Sequence, residues 1–448
     1  MKKLLSKAII ITTTIAAFPA MAQGSDRRLT SGVPWWDQNG VAVNAHGCNV
    51  IADDGRWYMF GEWKSDTTNA FTGFACYSST NLVDWTFERV ALGVQASGRL
   101  GPNTVGERPK VVKAADGSGY VMLMHTDDIN YKDPCTCHAV SKEVAGPYEF
   151  KGPLLSDGAA IRRWDIGTFT DEDGANYLLV HHGQIHRLAP DARSATRLKC
   201  ELPVKGGESP AMCRANGLYY LFMSHLTSWE RNDNFYFTAP TIEGPWEYRG
   251  LFAPKGSLTL NSQCSFILKT PHGHIYIGDR WSFPHQASCA TQVWQPLTFA
   301  ADASASLPAF FESWDVATFA PVRTSGDVVW RGEWQGTSRD QSLDVPLNGA
   351  KGRRVAVRAD TDGHSGYARI VIKAADGRIL RDDLVDCYSK APVADALVYV
   401  SPALDDSAAS VSIVPNGDYP VWFNKRGDRF GSDSTAVTVK EISLLGSK

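Results

Sequence analysis

Apolar and polar positions repeat along the chain as one unit that is used five times. In each unit a polar residue opens a short apolar strand, a glycine follows nine or ten positions later, and an aromatic strand follows the glycine. The opening residues are His46, Glu107, Asp165, Glu208 and Gln263, and the glycines are Gly55, Gly117, Gly174, Gly217 and Gly273. Short apolar runs that flank a glycine turn predict β-hairpins. The pattern therefore predicts one supersecondary unit in five copies.

A recurring strand-turn-strand unit is typical of a β-propeller, whose blades pack around a central channel. We therefore predict an all-β chain that contains a five-bladed propeller. If the first strand of each blade is the innermost one, the five opening residues meet at the mouth of the channel. Three of them are carboxylic acids and one is an amide, a combination that suits acid/base chemistry.

The pattern changes near residue 300. An Ala/Ser-rich stretch from Ala300 to Pro308 closes the last unit, and strands after about Val328 alternate strictly without the repeated motif. We interpret residues 23–322 as the propeller and residues 323–448 as a C-terminal β-sandwich of jelly-roll type. Many carbohydrate-binding modules have that architecture, so both a sugar-binding role and a purely structural role are open.

The first residues have the features of an export signal. A basic start precedes an apolar run from Ala8 to Phe18, and the tripeptide Ala-Met-Ala that ends at Ala22 fits a cleavage site. We predict a signal peptide over residues 1–22 and export to the periplasm or the cell exterior.

Composition narrows the class of partner. The formal net charge is −3 with both signs mixed along the chain, which argues against nucleic acid or an anionic membrane. The 14 Trp, 15 Tyr and 19 Phe suit a sugar-binding surface as well as an aromatic core. The nine cysteines show neither zinc spacing nor a disulfide framework. Most are predicted to be core residues, and Cys135 and Cys137 are not expected to bond to each other.

The predicted channel mouth could cleave a glycosidic bond. Such cleavage needs a protonated carboxyl group at the leaving oxygen and a second group that activates water. Glu208 is the candidate acid, because burial and the charge of Asp165 would raise its pKa. Alternatively, each acid only caps a strand or pairs with Arg108, Arg162 or Arg280. The matching register of several carboxylates favours catalysis.

Nine short motifs then carry a family resemblance over about residues 35–300. They are Asn44-Ala-His-Gly47, Phe60-Gly-Glu-Trp63, Cys76-Tyr-Ser-Ser79, Glu107-Arg-Pro-Lys110, Met124-His125, Glu208-Ser-Pro-Ala211, Thr227-Ser-Trp229, Ser262-Gln-Cys-Ser265 and Gly278-Asp-Arg-Trp281. Together they resemble the exo-β-1,3-galactanase branch of the family 43 glycoside hydrolases. The resemblance implies a five-bladed propeller, inversion at the anomeric carbon, and release of galactose from the non-reducing end of β-1,3-galactan, the main chain of arabinogalactan.

The resemblance also implies roles for the five opening residues. Asp165 and Glu208 match the third-blade Asp that tunes the acid and the fourth-blade Glu that is the acid. His46 stands where most members have an Asp as general base. The galactanase branch shares that loss, and in it a fifth-blade Gln, here Gln263, is proposed to act as base through its imidic-acid tautomer. Glu107 would hold that tautomer or orient the water.

Other positions are implied to contact the substrate. Glu62, Tyr131 and Thr227 match positions that bind the terminal galactose in the family. His46, Trp229 and Arg280 are further expected substrate contacts. We expect no cofactor and no metal ion, because the histidines lie in different blades without the spacing of a helical metal site. The expected partner is a polysaccharide or oligosaccharide, β-1,3-galactan, and the expected state is a monomer.

Two other functions are open. An α-L-arabinofuranosidase or β-xylosidase of the same family would share the propeller, but the missing first-blade Asp counts against it. A non-catalytic sugar-binding propeller that has lost its base is a different class of answer. The joint presence of Glu208, Asp165, Glu107 and Gln263 counts against that alternative.

Overall fold

The computed structural model describes residues 27–446 apart from Asp406 and Lys425. Strands make up most of its regular structure, so the prediction of an all-β chain is confirmed. The predicted signal peptide, residues 1–22, lies outside the described residues. None of the helices in the described part is long and apolar enough to span a membrane.

Five sheets follow β1 (Arg28–Thr30) along the chain. The first contains β2 (His46–Asp53), β3 (Arg56–Glu62), β4 (Phe74–Ser79) and β5 (Thr86–Leu92). The second contains β6 (Thr104–Lys113), β7 (Tyr120–Asp128), β8 (Cys135–Ser141) and β9 (Glu149–Pro153). The third contains β10 (Leu155–Ser156), β11 (Ala159–Ala160), β12 (Ile166–Thr170), β13 (Asn176–Val180), β14 (Gln184–Leu188) and β15 (Ser194–Arg197), with a 3₁₀ turn at His181–Gly183.

The fourth sheet contains β16 (Glu208–Ala215), β17 (Leu218–Ser224), β18 (Phe235–Ala239) and β19 (Glu247–Leu251). The fifth contains β20 (Gln263–Thr270), β21 (Gly273–Arg280), β22 (Thr291–Phe299) and β23 (Ala305–Ser306). Two short segments, α1 (Leu258–Asn261) and α2 (Gln286–Cys289), precede β20 and β22. β24 (Ser313–Asp315) then pairs with β1.

One strand of each of the five sheets, here called its inner strand, takes part in a closed ring of contacts. β2 contacts β6, β6 contacts β12, β12 contacts β16, β16 contacts β20, and β20 contacts β2. A separate buried apolar cluster fills each gap between neighbouring sheets, as Leu179 and Met212 do between the third and fourth. Each sheet therefore buries both faces, which is why its strands read as apolar runs.

The C-terminal region forms two further four-stranded sheets and a hairpin. Its strands are β25 (Gly326–Gly336), β26 (Leu343–Pro346), β27 (Arg354–Thr361), β28 (Tyr367–Ala374), β29 (Ile379–Asp386), β30 (Val393–Val400), β31 (Ala408–Pro415), β32 (Val421–Phe423), β33 (Arg429–Gly431) and β34 (Val437–Leu445). The sheet orders are β25-β34-β27-β30 and β26-β31-β28-β29, and β32 pairs with β33. Both sheets contribute to one buried cluster.

Cysteines contribute packing rather than cross-links. All nine are free, and all except Cys200 are buried. The prediction that most of them are core residues is confirmed.

Candidate active site

Bulges in the inner strands set the direction of the polar residues that open them. The pairing register shifts directly after the opening residue in the first, second and fourth sheets. A left-handed residue follows the opening residue in each case: Gly47, Arg108 and Ser209, with φ of +57°, +49° and +51°. A bulge bends its strand and re-aims the adjacent side chain. The bulges thereby turn the side chains of His46, Glu107 and Glu208 out of the regular strand pairing.

The amide of Gln263 lies between a carboxyl group and two donors. Its Nε2 donates to Glu208 Oε1 at 3.1 Å. Its Oε1 accepts from Arg108 Nη2 at 2.7 Å and from Trp281 Nε1 at 2.9 Å. Guanidinium and indole nitrogens only donate, so the atom that faces them is the amide oxygen. The expectation that Glu107 holds this amide is corrected, because Arg108, Trp281 and Glu208 are its hydrogen-bond partners.

Asp165 is tied to the residue that follows Glu208. Its Oδ2 accepts from the backbone N–H of Ser209 at 3.1 Å and from the Ser209 hydroxyl at 2.9 Å. The same oxygen lies 3.0 Å from Arg108 Nε. The buried guanidinium of Arg108 therefore bridges Asp165 and Gln263. The pairing of an acid with Arg108, considered above as an alternative to catalysis, is present inside the candidate site itself.

The two neighbouring carboxyl groups differ in their readiness to ionise. Burial raises the pKa of Glu208 well above its usual value, and the charge of Asp165 raises it further. Burial also opposes ionisation of Asp165, but the charge of Arg108 outweighs it and holds the pKa of Asp165 below its usual range. Glu208 thus keeps its proton at a pH where Asp165 is ionised. Such a split is how one site supplies a general acid beside an anion.

Glu107 lies in a second group of polar side chains. Its Oε1 accepts from the Tyr131 hydroxyl at 2.5 Å, and its Oε2 lies 3.3 Å from His125 Nδ1. Lys64 Nζ lies 3.7 Å from Glu107 and 2.7 Å from the Glu62 carboxylate. Burial opposes ionisation of Glu107, yet the hydrogen bond with His125 and the charge of Lys64 hold its pKa below the usual range. Glu107 is therefore an anion.

Glu62 and His46 face each other across β2 and β3. Glu62 Oε1 accepts from the backbone N–H of Arg108 at 2.9 Å, which joins the two groups of side chains. His46 is fully buried, with Nδ1 3.7 Å from Asp279 Oδ1 and its ring 5.6 Å from that of Trp281. His46 is thus packed against the Trp281 ring.

Two of the remaining predicted contacts, Trp229 and Thr227, lie in the segment between β17 and β18. Trp229 is 38% exposed, and its ring centroid lies 6.3 Å from that of Trp281, so it borders the cluster. Thr227 is exposed in the same segment between β17 and β18.

Arg280 lies away from this cluster, so the expected substrate contact is corrected. Its guanidinium donates to the backbone oxygens of Leu260 and Asn261, each at 3.2 Å, and lies over the ring of Phe310. Trp281, the residue after β21, donates to Gln263. Arg280, the last residue of β21, instead directs its guanidinium to α1.

One group of described residues has the spacing of a metal site. Ligand atoms of Glu107, His125 and Asp165 all lie within 4.8 Å of one another. Lys64 and Arg108 already lie beside the two carboxylates. A divalent ion there would face two positive charges, so this group favours the ion pairs that are present.

Sequence reasoning missed the two residues that hold the Gln263 oxygen. Arg108 was considered only as an ion-pair partner, and Trp281 only as part of a motif. One signal was available, since Glu107 and Glu208 share the pattern Glu-x-Pro. The residue between Glu and Pro is left-handed in both copies, and it carries the side chain that contacts Asp165.

Comparison with known proteins identifies the family. The model of "Glycosyl hydrolases family 43" matches residues 38–250. A solved structure from Bifidobacterium bifidum s17, provisionally assigned as an exo-β-1,3-galactanase, is 32% identical with a TM-score of 0.57, over 62% of this chain and 96% of its own. No curated protein matches the chain.

Two more distant structures share the fold over nearly the whole chain. The exo-β-1,3-galactanase of Phanerochaete chrysosporium, solved with galactose, is 24% identical with a TM-score of 0.69, over 93% of this chain and 100% of its own. That of Clostridium thermocellum is 21% identical with a TM-score of 0.59, over 94% of this chain and 100% of its own.

The family match runs through the strands that carry Glu107, Asp165 and Glu208. This chain aligns with 96% of the Bifidobacterium structure at 32% sequence identity. The protein is therefore a glycoside hydrolase and belongs to family 43.

Proposed function

We propose that the protein is an exported, inverting exo-β-1,3-galactanase that releases galactose from the non-reducing end of β-1,3-galactan. The observation that carries the proposal is the Glu208–Gln263 pair, in which a protonated carboxyl group lies beside an amide whose oxygen is held by Arg108 and Trp281. The neighbouring galactanase structures support the substrate, and one of the Phanerochaete structures contains β-1,3-galactotriose. Export rests on the predicted signal peptide alone.

Glu208 is the proposed general acid. The leaving galactosyl oxygen needs a proton as its bond to the anomeric carbon breaks. Burial and Asp165 keep that proton on Glu208, and Arg108 keeps Asp165 ionised.

Gln263 is the proposed base. A neutral amide is a very poor base, so Gln263 acts as its imidic-acid tautomer, in which a proton has moved from Nε2 to Oε1. Glu208 already carries its proton, so it does not take one from Nε2. Oε1 faces the Arg108 cation and the Trp281 N–H, which only donate, so substrate binding has to shift these partners before Oε1 can carry a hydrogen. The Nε2 lone pair of the tautomer then takes a proton from the attacking water while the Oε1 proton passes to solvent, which restores the amide. Glu208 gives its proton to the leaving oxygen and recovers one from solvent.

Substrate binding has to break the hydrogen bond between Gln263 and Glu208 and move the two side chains apart before the reaction. Inverting glycosidases hold their two catalytic groups roughly 6.5–9.5 Å apart to leave room for sugar and water. Glu107, an anion held by His125 and Tyr131, is the other group that could orient the water.

We further propose that the five sheets between residues 23 and 322 are the blades of a propeller. The ring of contacts among their inner strands supports this interpretation. Residues 323–448 are proposed to be a β-sandwich, supported by one apolar cluster shared by two four-stranded sheets.

Product analysis tests the function. The full chain should release only galactose, or galactose with branched galactose units, from β-1,3-galactan, and should leave arabinan and xylan intact. Proton NMR of the first product should show α-galactose, because inversion of a β-bond yields the α-anomer. Glu208→Gln protein is the matched control. Early long oligosaccharides would contradict exo action, β-galactose would contradict inversion, and release of arabinose or xylose would contradict the substrate.

A further inference from the structure

The C-terminal region contacts both chain segments that hold Gln263 in place. One segment is α1, which ends two residues before Gln263. The other is residues 281–285, which begins with Trp281, the donor to the Gln263 oxygen. These contacts come from parts of the chain more than 80 residues away.

The first segment is an unusual left-handed turn. Leu258, Thr259, Leu260 and Asn261 have φ of +53°, +53°, +61° and +55°. L-amino acids with side chains avoid this conformation because Cβ crowds the backbone, so surrounding contacts must maintain it. Asn261 pairs with the backbone of Ala391 in both directions: its Nδ2 donates to the Ala391 oxygen at 3.0 Å and its Oδ1 accepts from the Ala391 N–H at 3.2 Å. The C-terminal region therefore helps to hold the turn.

The second segment is held by a buried cation. Arg231 Nη2 donates to the backbone oxygen of Trp281 at 2.6 Å. Arg231 is 1% exposed, is paired with Glu230 at 2.7 Å, and lies 5.3 Å from the ring centroid of Tyr388. Tyr388 belongs to the C-terminal region, and its ring face stabilises the cation beneath it.

The residues that follow Trp281 are held in the same way. The Tyr367 hydroxyl donates to the Phe283 oxygen at 3.0 Å and lies 3.0 Å from the Ser282 hydroxyl. His285 Nε2 lies 3.0 Å from Asp418 Oδ2. Residues 282, 283 and 285 thus each contact the C-terminal region through a polar group.

We propose that the C-terminal region is part of the catalytic unit, because it positions the amide of Gln263 through α1 and through Trp281. Asn261, Arg231 and Tyr388 are the positioning residues, because each acts on Gln263 through α1 or through Trp281. The inference rests on the proposed function only for its kinetic readout. Its physical basis is that a small displacement of a reacting group can cost about 100-fold in rate.

The test compares Tyr388→Leu with Tyr388→Phe. Leu fills much of the space but has no ring face for Arg231, whereas Phe keeps the ring. On a β-1,3-linked galactobiose we expect Tyr388→Leu to lower kcat about tenfold to 100-fold with KM changed less than threefold, and Tyr388→Phe to remain close to wild type. Phe423→Ala, an exposed position in the same region, is the matched control and should not change kcat.

Asn261→Gly is a second variant in case Tyr388→Leu does not fold. Glycine tolerates the left-handed φ, so this change removes the tie to Ala391 without adding backbone strain. It should lower kcat in the same range. Equal kcat in wild type, Tyr388→Leu and Asn261→Gly would overturn the proposal, as would a loss confined to KM.

Hydrogen exchange gives a readout that does not depend on the substrate. Amides in residues 261–265 and 279–286 should exchange faster in Tyr388→Leu and Asn261→Gly than in wild type, Tyr388→Phe or Phe423→Ala. Unchanged exchange in these segments would overturn the positioning role even if the enzyme is a galactanase. A wild-type chain inactive on galactobiose would refute the proposed function, and the exchange experiment would still decide the inference.

Discussion

At the scale of single residues, the site depends on neighbouring charges that give two chemically similar groups different pKa values. Glu208 and Asp165 are both buried carboxyl groups. Arg108 pairs with Asp165 and donates to Gln263. Among the described residues, it forms no hydrogen bond with Glu208. One cation therefore selects which carboxyl group ionises.

Replacement of the acid should depend on the leaving group. Glu208→Gln removes the proton that the leaving oxygen takes, and loss of a general acid costs about 10² to 10⁴ in kcat on a galactobiose. An aryl galactoside with an acidic phenol needs little protonation, so its rate should fall much less. Equal losses on the two substrates, measured by steady-state kinetics, would contradict the acid role.

The charge of Asp165 should appear in the pH profile. Activity requires protonated Glu208, so it falls as pH rises through the pKa of Glu208. Asp165 raises that pKa, and Asp165→Asn should therefore move the alkaline limb of kcat/KM to lower pH. Asp171→Asn, where the carboxylate accepts from Tyr219 far from the cluster, is the control. A limb that stays in place or moves upward would show that Asp165 does not tune Glu208.

Kinetic measurements distinguish a role of Gln263 as the base from a role in substrate binding. Gln263→Ala should lower kcat on galactobiose about as much as Glu208→Gln, with KM nearly unchanged, because the lost interaction exists mainly in the transition state. Glu107→Gln is the paired variant. A near-normal kcat with raised KM in Gln263→Ala, together with a large kcat loss in Glu107→Gln, would transfer the role to Glu107.

At the scale of elements, close contact between inner strands fixes the spacing of the site. A Cβ at Gly167 would lie 1.9 Å from the backbone oxygen of Pro210, so β12 and β16 touch where Asp165 meets Ser209. Gly167→Ala should destabilise the fold by about 1–3 kcal/mol through overpacking and should lower activity. Denaturant unfolding measures the first effect. Gly93→Ala is the control, because no atom lies within 4 Å of the new Cβ, and equal stability of the two variants would contradict the packing argument.

The sequence located the elements better than the local geometry of their ends. Hairpins were predicted at the five glycine turns, and strand pairs lie there, from β2 and β3 through to β20 and β21. Period-two alternation carries that information locally. The bulges after Glu107 and Glu208 and the left-handed α1 were not predicted. Contacts with other strands maintain those backbone conformations. The prediction that Arg280 contacts substrate was wrong because its side chain donates to α1.

At the scale of the whole molecule, packing rather than cross-linking holds the chain together. All nine cysteines are free, so reductant should leave the thermal unfolding midpoint unchanged. Thiol titration without reductant should count nine groups in denaturant and few in the native protein, because eight of them are buried. A midpoint that falls on reduction would reveal a disulfide.

The two regions are joined more closely than their sequence patterns suggested. The change of motif near residue 300 predicted a second unit over residues 323–448, and the C-terminal sheets do have a buried cluster of their own. A second cluster unites Val33 with Ala356, Val400 and Leu445. Strand patterns report the core within a unit and carry no signal for the surface on which two units meet.

By itself, the sequence determined the strands, the turns, the five polar residues that open the inner strands and the family to which they belong. Those features are local, because alternation, glycine turns and short motifs are each read within about ten residues. Tertiary structure alone decided which of the polar residues touch. It placed Arg108 between Asp165 and Gln263, directed Arg280 to α1, and packed the Tyr388 ring against Arg231. Charges, burial and hydrogen bonds act over a few ångströms in space, and no spacing along the chain encodes which side chains come that close.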